Sequence, residues 1–510
     1  MEQKNLKTPV FANETVFSES AEQPIDVDFT LPDYCPDVTK ILKCRAVSRI
    51  SSKAANGRSI TVDGTVTITV IYCDGEQNLC SYEYQYPFSK TFEAGIDCDS
   101  GTLLCRTKCE YINCRAVTSR KIDIHGAAGI YVKLIRRKCT EVISDVDDIN
   151  VELRRGTAPA TSPMGNAEKY LVIEEEIETG QGQPPIRSLI RYDACITIKE
   201  NKLLAGKAMV KGELIVTLLY CPYEGSVQTV RSSIPFTQLL EIEGVTEQCE
   251  CNAQAEIAYI DIKPRISAAG DAKSLQLNAK LLICCESYCN NDVDVILDAY
   301  SRKYEADITK NEVCFNKIYK NITETFNCKK NLEFPDGALS SVADMWSEVK
   351  TDSVKIDDGN LIVNGTVIAD IVAFDNNGEP SFYEKPVEFE DRCNLGKTSD
   401  NMHCEPQIEA VSVNYTITGS GNMELRIDLL INAAVYECSN LPLITDVSID
   451  EKRQIAKKDR GAMTIYFAQT GENVWDIARR YCASVEEIKQ INDITDEKLD
   501  INKMILVPMN

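Results

Sequence analysis

Histidine is the scarcest chemically versatile side chain in this sequence. The 510 residues include only two, His125 and His403. Neither lies in an array of cysteines or carboxylates with the spacing of a metal site, and catalytic triads and many transition-metal sites depend on histidine. We therefore expect no catalytic triad and no histidine-based metal centre. Both histidines are expected to have a structural or surface role.

Long apolar runs and an excess of positive charge are also missing. No run approaches the ~18 residues of a membrane span, and residues 1–5 lead into no apolar leader. The formal charge of −23 has the opposite sign to the one needed for binding nucleic acid or an anionic membrane surface. We expect a protein that stays in the cytosol, inserts into no membrane and binds no nucleic acid.

Cysteine, in contrast, is plentiful, with 22 residues. Thiols stay free in a reducing compartment, so no disulfide framework is expected. The cysteine runs at 105–114 and 284–289 lack the paired Cys-x2-Cys of a zinc site, and they lie in strand-like segments, where cysteine acts as a small hydrophobic residue. No glycine-rich phosphate loop with a following lysine is present. We therefore expect no metal and no cofactor.

The dominant positive feature is an internal repeat. A Val-x-Gly motif occurs three times, as Val62-Asp63-Gly64, Val210-Lys211-Gly212 and Val363-Asn364-Gly365. In each copy apolar residues alternate with polar ones, which predicts a half-buried strand. The glycine falls on the apolar side, where it indicates a bulge or a close approach of neighbouring atoms. A glycine-bearing turn follows at a matched distance and predicts a hairpin.

The repeat unit is longer than this hairpin. Each copy ends in an Ile-x-Asp motif, Ile143-Ser144-Asp145, Ile296-Leu297-Asp298 and Ile444-Thr445-Asp446. Agreement at both ends identifies a true repeat, and short strands with turns about every ten residues are typical of a β-sandwich. The proline-marked segments 31–42 and 334–346 predict a short amphipathic helix before the central strand.

These observations predict a mainly β protein. Three β-rich, sandwich-like repeat domains are followed by a small α+β domain with the order strand-helix-helix-strand. The predicted boundaries are repeat 1 at 1–154, a Pro/Gly-rich linker at 155–166, repeat 2 at 167–311, repeat 3 at 312–450, a charged linker at 451–462 and the C-terminal domain at 463–510.

The C-terminal segment has a different periodicity. Asn473 is placed as the N-cap of a helix whose apolar face includes Trp475, and Ser484 begins a second helix with a capping box that ends at Glu487. A strand is predicted on either side of the helix pair, near 464–467 and 501–507. We expect Trp475 to anchor this very small core.

This segment resembles a LysM domain. The matching residues are Tyr466, Gly471-Glu472-Asn473-Val474-Trp475, Ile477-Ala478, Tyr481, Val485, Glu487-Ile488, Ile491-Asn492 and Leu506-Val507-Pro508. The resemblance implies a groove that binds N-acetylglucosamine-containing glycans such as peptidoglycan. It places the groove, for a glycan or a partner protein, at Gly471, Glu472, Asn473, Val474, Ile494 and Thr495.

The repeats are similar to the SPOCS domain of clostridial spore-coat proteins, through Leu31-Pro32-Asp33-Tyr34-Cys35-Pro36-Asp37 and the Val-x-Gly motifs. Three such units and one LysM domain resemble the SipL-like family of spore morphogenetic proteins. The resemblance implies a protein of the mother-cell cytosol that assembles at the forespore surface. It also implies that the LysM domain binds the coat morphogenetic ATPase, stage IV sporulation protein A.

Three functions follow as hypotheses. The first is a non-enzymatic scaffold or adaptor in spore-coat assembly, with the LysM domain docking a coat morphogenetic protein. The second is a peptidoglycan-binding protein that acts through the same domain. The third, a hydrolase within the repeats, is disfavoured because three similar units show no unique polar cluster.

Overall fold

The computed structural model describes residues 5–180, 182–266, 272–335, 337–419, 421–455 and 462–508. The first repeat contains β1 (Asn5–Thr30), β2 (Lys40–Asn56), β3 (Ser59–Cys73), β4 (Leu79–Glu93), β5 (Thr102–Ala116) and β6 (Lys121–Val146). The second contains β7 (Val151–Glu178), β8 (Ile186–Leu204), β9 (Lys207–Pro222), β10 (Gln228–Glu241), β11 (Glu250–Ile266) and β12 (Ala272–Ser301).

The third repeat contains β13 (Tyr304–Glu333), β14 (Ser341–Asp357), β15 (Asn360–Phe374), β16 (Pro380–Asn394), β17 (Met402–Cys404), β18 (Gln407–Gly419) and β19 (Asn422–Gln454). The C-terminal domain consists of β20 (Met463–Ala468), α1 (Val474–Tyr481), α2 (Val485–Asn492) and β21 (Lys503–Pro508). The predicted mainly β class, with a small α+β domain at the end, is confirmed.

Each repeat is built from two antiparallel sheets. The first repeat has the strand orders β2-β3-β4 and β1-β6-β5, and the second has β8-β9-β10 and β7-β12-β11. The third has β14-β15-β16 and a sheet in which β19 pairs with β13, β17 and β18. In repeat 1 a single buried cluster joins Val62 and Val66 of one sheet to Ile122 and Ile124 of the other, so the core lies between the sheets.

The glycine of each Val-x-Gly motif lies under an aromatic ring. Gly64 pairs with Phe88 across the hairpin, and a Cβ at Gly64 would lie 2.3 Å from the Phe88 ring and 2.4 Å from the Arg49 carbonyl oxygen. Gly212 and Gly365 are covered in the same way by Phe236 and Phe389. The predicted close approach is therefore present in all three repeats, and any larger residue would displace the ring or the neighbouring strand.

The predicted short helices are wrong. Residues 31–39 form turns and extended chain before β2 begins at Lys40, and the residues from Ser341 onward lie in β14. Leu42, Ile190 and Trp346 lie instead in one buried cluster shared by the three repeats. Apolar side chains on these strands therefore serve both the sandwich core and the contact between repeats. Because of this double use, apolar residues no longer alternate strictly with polar ones, and their spacing in the sequence resembles that of a helix.

The three repeats converge a second time through their Ile-x-Asp motifs. Ile143, Ile296 and Ile444 share one buried cluster, and Val142, Val295 and Leu443 share the adjacent one. Because equivalent residues from every repeat meet in both clusters, the motif is a contact between repeats as well as a strand end.

One buried ion pair joins repeats 2 and 3. Lys43, Arg191 and Asp344 occupy the same position in the three repeats, since each pairs with the residue nine positions after the valine of Val-x-Gly. Arg191 donates to both carboxylate oxygens of Asp344, at 2.5 and 3.1 Å, and its guanidinium lies 4.4 Å from the centre of the Trp346 ring. The three equivalent positions carry two bases and one acid, so an ion pair between them must include Asp344 of repeat 3.

The chain between repeats is more ordered than its composition predicts. Residues 155–166, predicted to be a linker, lie inside β7 and pair with β12, so this segment is a strand. Its small residues face the crowded contact between repeats, where Ala158 and Ala160 are buried. Repeat 3 begins with β13 at Tyr304, before the predicted boundary at 312. Of the predicted linker 451–462, residues 451–454 belong to β19, and 456–461 lie outside the described residues.

Two cysteines depart from the expectation of free thiols. Cys249 and Cys289 form a disulfide in repeat 2. The two residues flank Glu250 and Tyr288, which pair across β11 and β12, so the strand register brings the two thiols opposite one another. Within the described ranges, no helix has the length and apolar character needed to span a membrane.

Candidate binding surface of the C-terminal domain

The two short helices of the C-terminal domain are held by their caps. The Asn473 side chain accepts a hydrogen bond from the Trp475 backbone N–H at 2.9 Å, and Ser484 accepts one from the Glu487 N–H at 3.5 Å. Both predicted N-caps are confirmed. Cys482 and Asp493 end the helices in the left-handed conformation, each with a φ of 52°. Eight-residue helices need such caps because they are marginal on their own.

The residues predicted to form a groove lie in two loops of the domain. The Gly471 N–H donates to the Leu499 carbonyl at 2.7 Å, and the Val474 N–H donates to the Glu497 carbonyl at 2.8 Å. These bonds place residues 471–474 against 497–499. Ile494 and Thr495 lie at the start of the second loop, next to a shallow depression lined also by residues of α2. The depression contains Ile494 and Thr495 but none of residues 471–474, so the six predicted groove residues lie in two groups.

Three of those six side chains are already used inside the domain. The Glu472 carboxylate accepts hydrogen bonds from the Gln469 backbone N–H and the Tyr466 hydroxyl, both at 2.9 Å. These two bonds hold the pKa of Glu472 below its usual value. Asn473 caps α1, and Val474 is fully buried. Contacts with a ligand would therefore come from the Gly471 backbone, from Ile494 and from the exposed Thr495.

The C-terminal domain docks on repeat 2 through Trp475. This residue is buried as predicted, but its indole N–H also donates to the Asp298 carboxylate at 2.9 Å. Its ring meets the Tyr300 ring edge-on, with centroids 5.0 Å apart. The Tyr300 hydroxyl in turn donates to the Ala483 carbonyl at 2.6 Å. Trp475 therefore links the core of the domain to the end of β12.

Asp298 is the centre of this junction. Besides Trp475, its carboxylate accepts hydrogen bonds from Arg479 at 2.6 Å and from Lys310 at 2.7 Å. Burial by itself would raise the pKa of Asp298, but the bonds from Lys310 and Trp475 outweigh it and hold the pKa below the usual value. Asp298 is therefore a buried anion. Two cations neutralise its charge, and the Trp475 indole donates a further hydrogen bond to it.

Sequence reasoning found Asp298 only as part of a repeated motif and missed its role. A weak signal was present: the residue two positions after the motif's aspartate is Tyr300 in repeat 2, but Asp147 and Ser448 in the other repeats. Only the tyrosine can both stack on an indole and reach a backbone carbonyl. The docking of the C-terminal domain is therefore specific to one repeat.

The outer face of the C-terminal sheet is apolar. Met463, Ile465 and Phe467 alternate outward along β20, and Phe467 pairs with Met504 of β21. All four side chains are more than half exposed, and Phe467 is 75% exposed. The inner residues of the same strands, Ala468, Ile505 and Val507, pack on the helices. We call the four exposed residues the apolar sheet face.

Asp26, Asp123 and His125 in repeat 1 are the group of potential metal ligands that the described residues bring together. His125 lies 3.1 Å from Asp26 and 3.2 Å from Asp123, and Arg115 lies 2.7 Å from Asp123. Ion pairs account for this arrangement, and we assign no metal to it.

Comparison with known families agrees with this architecture. Residues 37–117 and 185–265 match the family model described as SipL, SPOCS domain, and residues 468–508 match the LysM domain. The chain therefore combines SPOCS repeats with a LysM module, the composition of a sporulation-related protein. These matches fit the SipL-like family that the sequence motifs predicted. No curated protein and no solved structure matches it.

The third repeat lies outside the matched ranges but has the same hairpin and the same glycine–phenylalanine pair as the other two. SPOCS and LysM domains are non-catalytic binding domains, and LysM domains bind glycans such as peptidoglycan. The function of the chain is therefore sought in binding.

Proposed function

We propose that the protein is a non-enzymatic scaffold in spore-coat assembly whose LysM domain docks a coat morphogenetic protein. The observation that carries the proposal is the apolar sheet face at Met463, Ile465, Phe467 and Met504. A contiguous apolar patch on a small domain marks a surface for protein contact. Phenylalanine and methionine are also enriched at such contacts.

The three repeats supply the frame for this contact. They share three buried clusters, a buried ion pair joins repeats 2 and 3, and repeat 2 holds the LysM domain through Asp298 and Tyr300. Because Trp475 faces repeat 2 while the apolar sheet face is exposed, the domain can be held and still offer a surface to a partner. A scaffold needs both properties.

The partner we propose is stage IV sporulation protein A, the coat morphogenetic ATPase implied by the resemblance to SipL-like proteins. Assembly would then take place in the mother-cell cytosol at the forespore surface. The apolar sheet face alone is small, and a specific interface usually buries about 1,200–2,000 Å² in total. We therefore expect neighbouring LysM residues such as Thr495 to extend the contact.

Glycan binding is the second candidate. It is supported by the two loops at 471–474 and 497–499, which hydrogen bonds hold together, and by the exposed side chain of Thr495. Three of the predicted groove side chains are engaged internally, so a sugar would depend mainly on backbone groups and on Thr495. This candidate predicts retention by purified peptidoglycan.

Co-purification of the full chain with the coat ATPase tests the proposal. Phe467→Asp should reduce recovery of the ATPase at least tenfold, because it places a charge in the apolar sheet face. The matched control is Ile149→Asp, since Ile149 is exposed in a turn before β7 and is not part of the apolar sheet face. Removal of residues 463–510 should abolish recovery.

Equal recovery of the ATPase by the intact chain and by the chain without residues 463–510 would refute docking through the LysM domain. The glycan candidate is tested in parallel with peptidoglycan sedimentation. Saturable binding that is lost with Thr495→Arg but kept with Phe467→Asp would establish that candidate instead. The two variants therefore separate the two functions on one folded protein.

A further inference from the structure

Repeat 3 brings two thiols, an imidazole and an amide together. Cys314 and Asn316 lie on β13, His403 on β17 and Cys438 on β19. No function considered above uses these residues, and His403 is one of only two histidines in the chain.

Cys438 lies at the centre of the group. Its Sγ lies 2.9 Å from Asn316 Oδ1 and 3.5 Å from His403 Nδ1. Cys314 donates to the same Asn316 oxygen at 3.7 Å, and the two thiols are hydrogen-bonded neighbours. Cys438 therefore has a second thiol on one side and a proton acceptor on the other.

Strand register produces this arrangement. Asn316 pairs directly with Cys438, and Cys314 lies two residues before Asn316, so both side chains point to the same face of β13. His403 pairs with Tyr436, and their rings stack with centroids 5.3 Å apart. The imidazole is therefore held beside Cys438 by its own strand pairing.

We propose that Cys314 and Cys438 form a peroxide-sensitive thiol–disulfide site in which His403 accepts the Cys438 proton. Cys314 is exposed, whereas Cys438 is partly buried. Hydrogen peroxide therefore reaches Cys314 first, and Cys438 is placed to react with the oxidised product. An exposed cysteine with no second thiol beside it would form a sulfenic acid but no internal disulfide.

The chemistry balances in two steps. The Cys314 thiolate attacks one peroxide oxygen, the O–O bond breaks, and the products are a sulfenic acid at Cys314 and hydroxide, which takes up a proton to become water. Cys438 then attacks the Cys314 sulfur, the S–O bond breaks, and a second water leaves. The Cys438 proton first passes to His403, and His403 then gives it to the departing hydroxide to form that second water. Two thiols and one peroxide thus give one disulfide and two waters.

A base is needed because the Cys438 thiol does not readily lose its proton. Burial raises the pKa of Cys438, and the neighbouring Cys314 raises it further. Only a deprotonated thiol can attack the sulfenic acid. His403 at 3.5 Å meets that need. The new bond would link β13 to β19, the longest strand pair of repeat 3, and would lock the sheet that carries them.

The test uses the full chain, reduced and then treated with hydrogen peroxide near stoichiometry. Free thiols are alkylated, and peptides are identified by mass spectrometry. We expect a Cys314–Cys438 linked peptide as the main new product. Cys139, an exposed cysteine on β6, should remain alkylated and serves as the matched control.

Variants assign the three roles. Cys438→Ser should leave a sulfenic acid at Cys314 that a dimedone-type probe traps. Cys314→Ser, a change at an exposed and therefore tolerant position, should remove the linked peptide and the trapped adduct. His403→Ala should slow disulfide formation about tenfold without changing its final extent, and added imidazole should restore the rate. A purely structural role for His403 would give no rescue.

Three outcomes would overturn the proposal. They are oxidation of Cys139 and Cys314 to the same extent with no linked peptide, linkage of Cys314 to another chain in preference to Cys438, and an unchanged rate with His403→Ala. The Cys249–Cys289 disulfide provides an internal standard for detection of linked peptides.

Discussion

Replacing Asp298 by alanine should release the LysM domain from repeat 2. The substitution removes the acceptor of the Trp475 indole, Arg479 and Lys310 together. Breaking a buried charged pair by removing one partner costs about 3–5 kcal/mol. Arg479 is 49% exposed and Lys310 is 35% exposed, so both recover hydration and reduce that cost.

The remaining loss comes mainly from the buried indole N–H. Hydrogen bonds to charged groups contribute about 1.5–3 kcal/mol, so we expect docking to weaken by about 2–3 kcal/mol. This corresponds to roughly a 30- to 150-fold change in the docking equilibrium. The domain itself should stay folded, because its helices and caps do not involve Asp298.

Acrylamide quenching of tryptophan fluorescence along a shallow urea series measures this release. Only two tryptophans are present, and Trp346 is 3% exposed, so it contributes a steady background. In Asp298→Ala, quenching of Trp475 should begin at lower urea than in the parent chain. The matched control is Asp446→Ala, the same motif position in repeat 3. If both variants behave alike, Asp298 does not hold the domain.

Further predictions follow from the core and from charge. Gly64→Ala should lower the free energy of unfolding by about 1–3 kcal/mol in urea denaturation, because its Cβ overlaps the neighbouring ring and carbonyl. Gly75→Ala in the same hairpin meets open space and should be close to neutral. Asp344→Ala should cost about 3 kcal/mol by the same measurement, because it leaves the buried Arg191 guanidinium with Asp193 as its remaining carboxylate neighbour. Since the pKa of Asp298 is lowered by docking, docking should be stable above pH ~4, the value of an unperturbed Asp, and should be lost as the pH falls further. The measurement is the quenching of Trp475 as a function of pH. Docking that became more stable as the pH fell would contradict this prediction, because it would mean that the docked Asp298 carboxyl is protonated.

The strand patterns of this chain could be predicted because one face of each strand is buried. Burial repeats every two residues along a strand, so the alternation around Val62 and its two equivalents was sufficient to identify the central hairpins. The same logic identified the motif glycines as points of close approach. Helix caps at Asn473 and Ser484 were equally predictable, because they depend on residues only a few positions apart.

The short helices predicted before β2 and β14 failed for a definite reason. Leu42 and Trp346 lie on strands, but their side chains fill a cluster between repeats. A residue that contacts two cores no longer follows the period of one. The linker at 155–166 failed in a similar way, since small residues there permit close packing of Ala158 and Ala160.

Which cysteines form a disulfide could not be predicted from the sequence either. Compartment reasoning predicted free thiols, yet Cys249 and Cys289 are linked because Cys249 immediately precedes β11 and lies opposite Cys289 of β12. Whether two thiols meet depends on strand register, and register depends on the whole sheet. The neighbours of Cys438 likewise follow from strand register, here that of β13 and β19, and no nearby sequence pattern indicates them.

The sequence by itself determined what the protein is made of: three β repeats, one LysM domain, and the caps and hairpins within them. These features depend on contacts between residues that are close in the chain or repeat with a fixed period. Only the tertiary structure decided how equivalent residues differ. Asp145, Asp298 and Asp446 have the same place in the repeated motif, but only Asp298 receives the Trp475 indole. That choice depends on where the LysM domain lies, a contact between residues 177 positions apart, which no local pattern records.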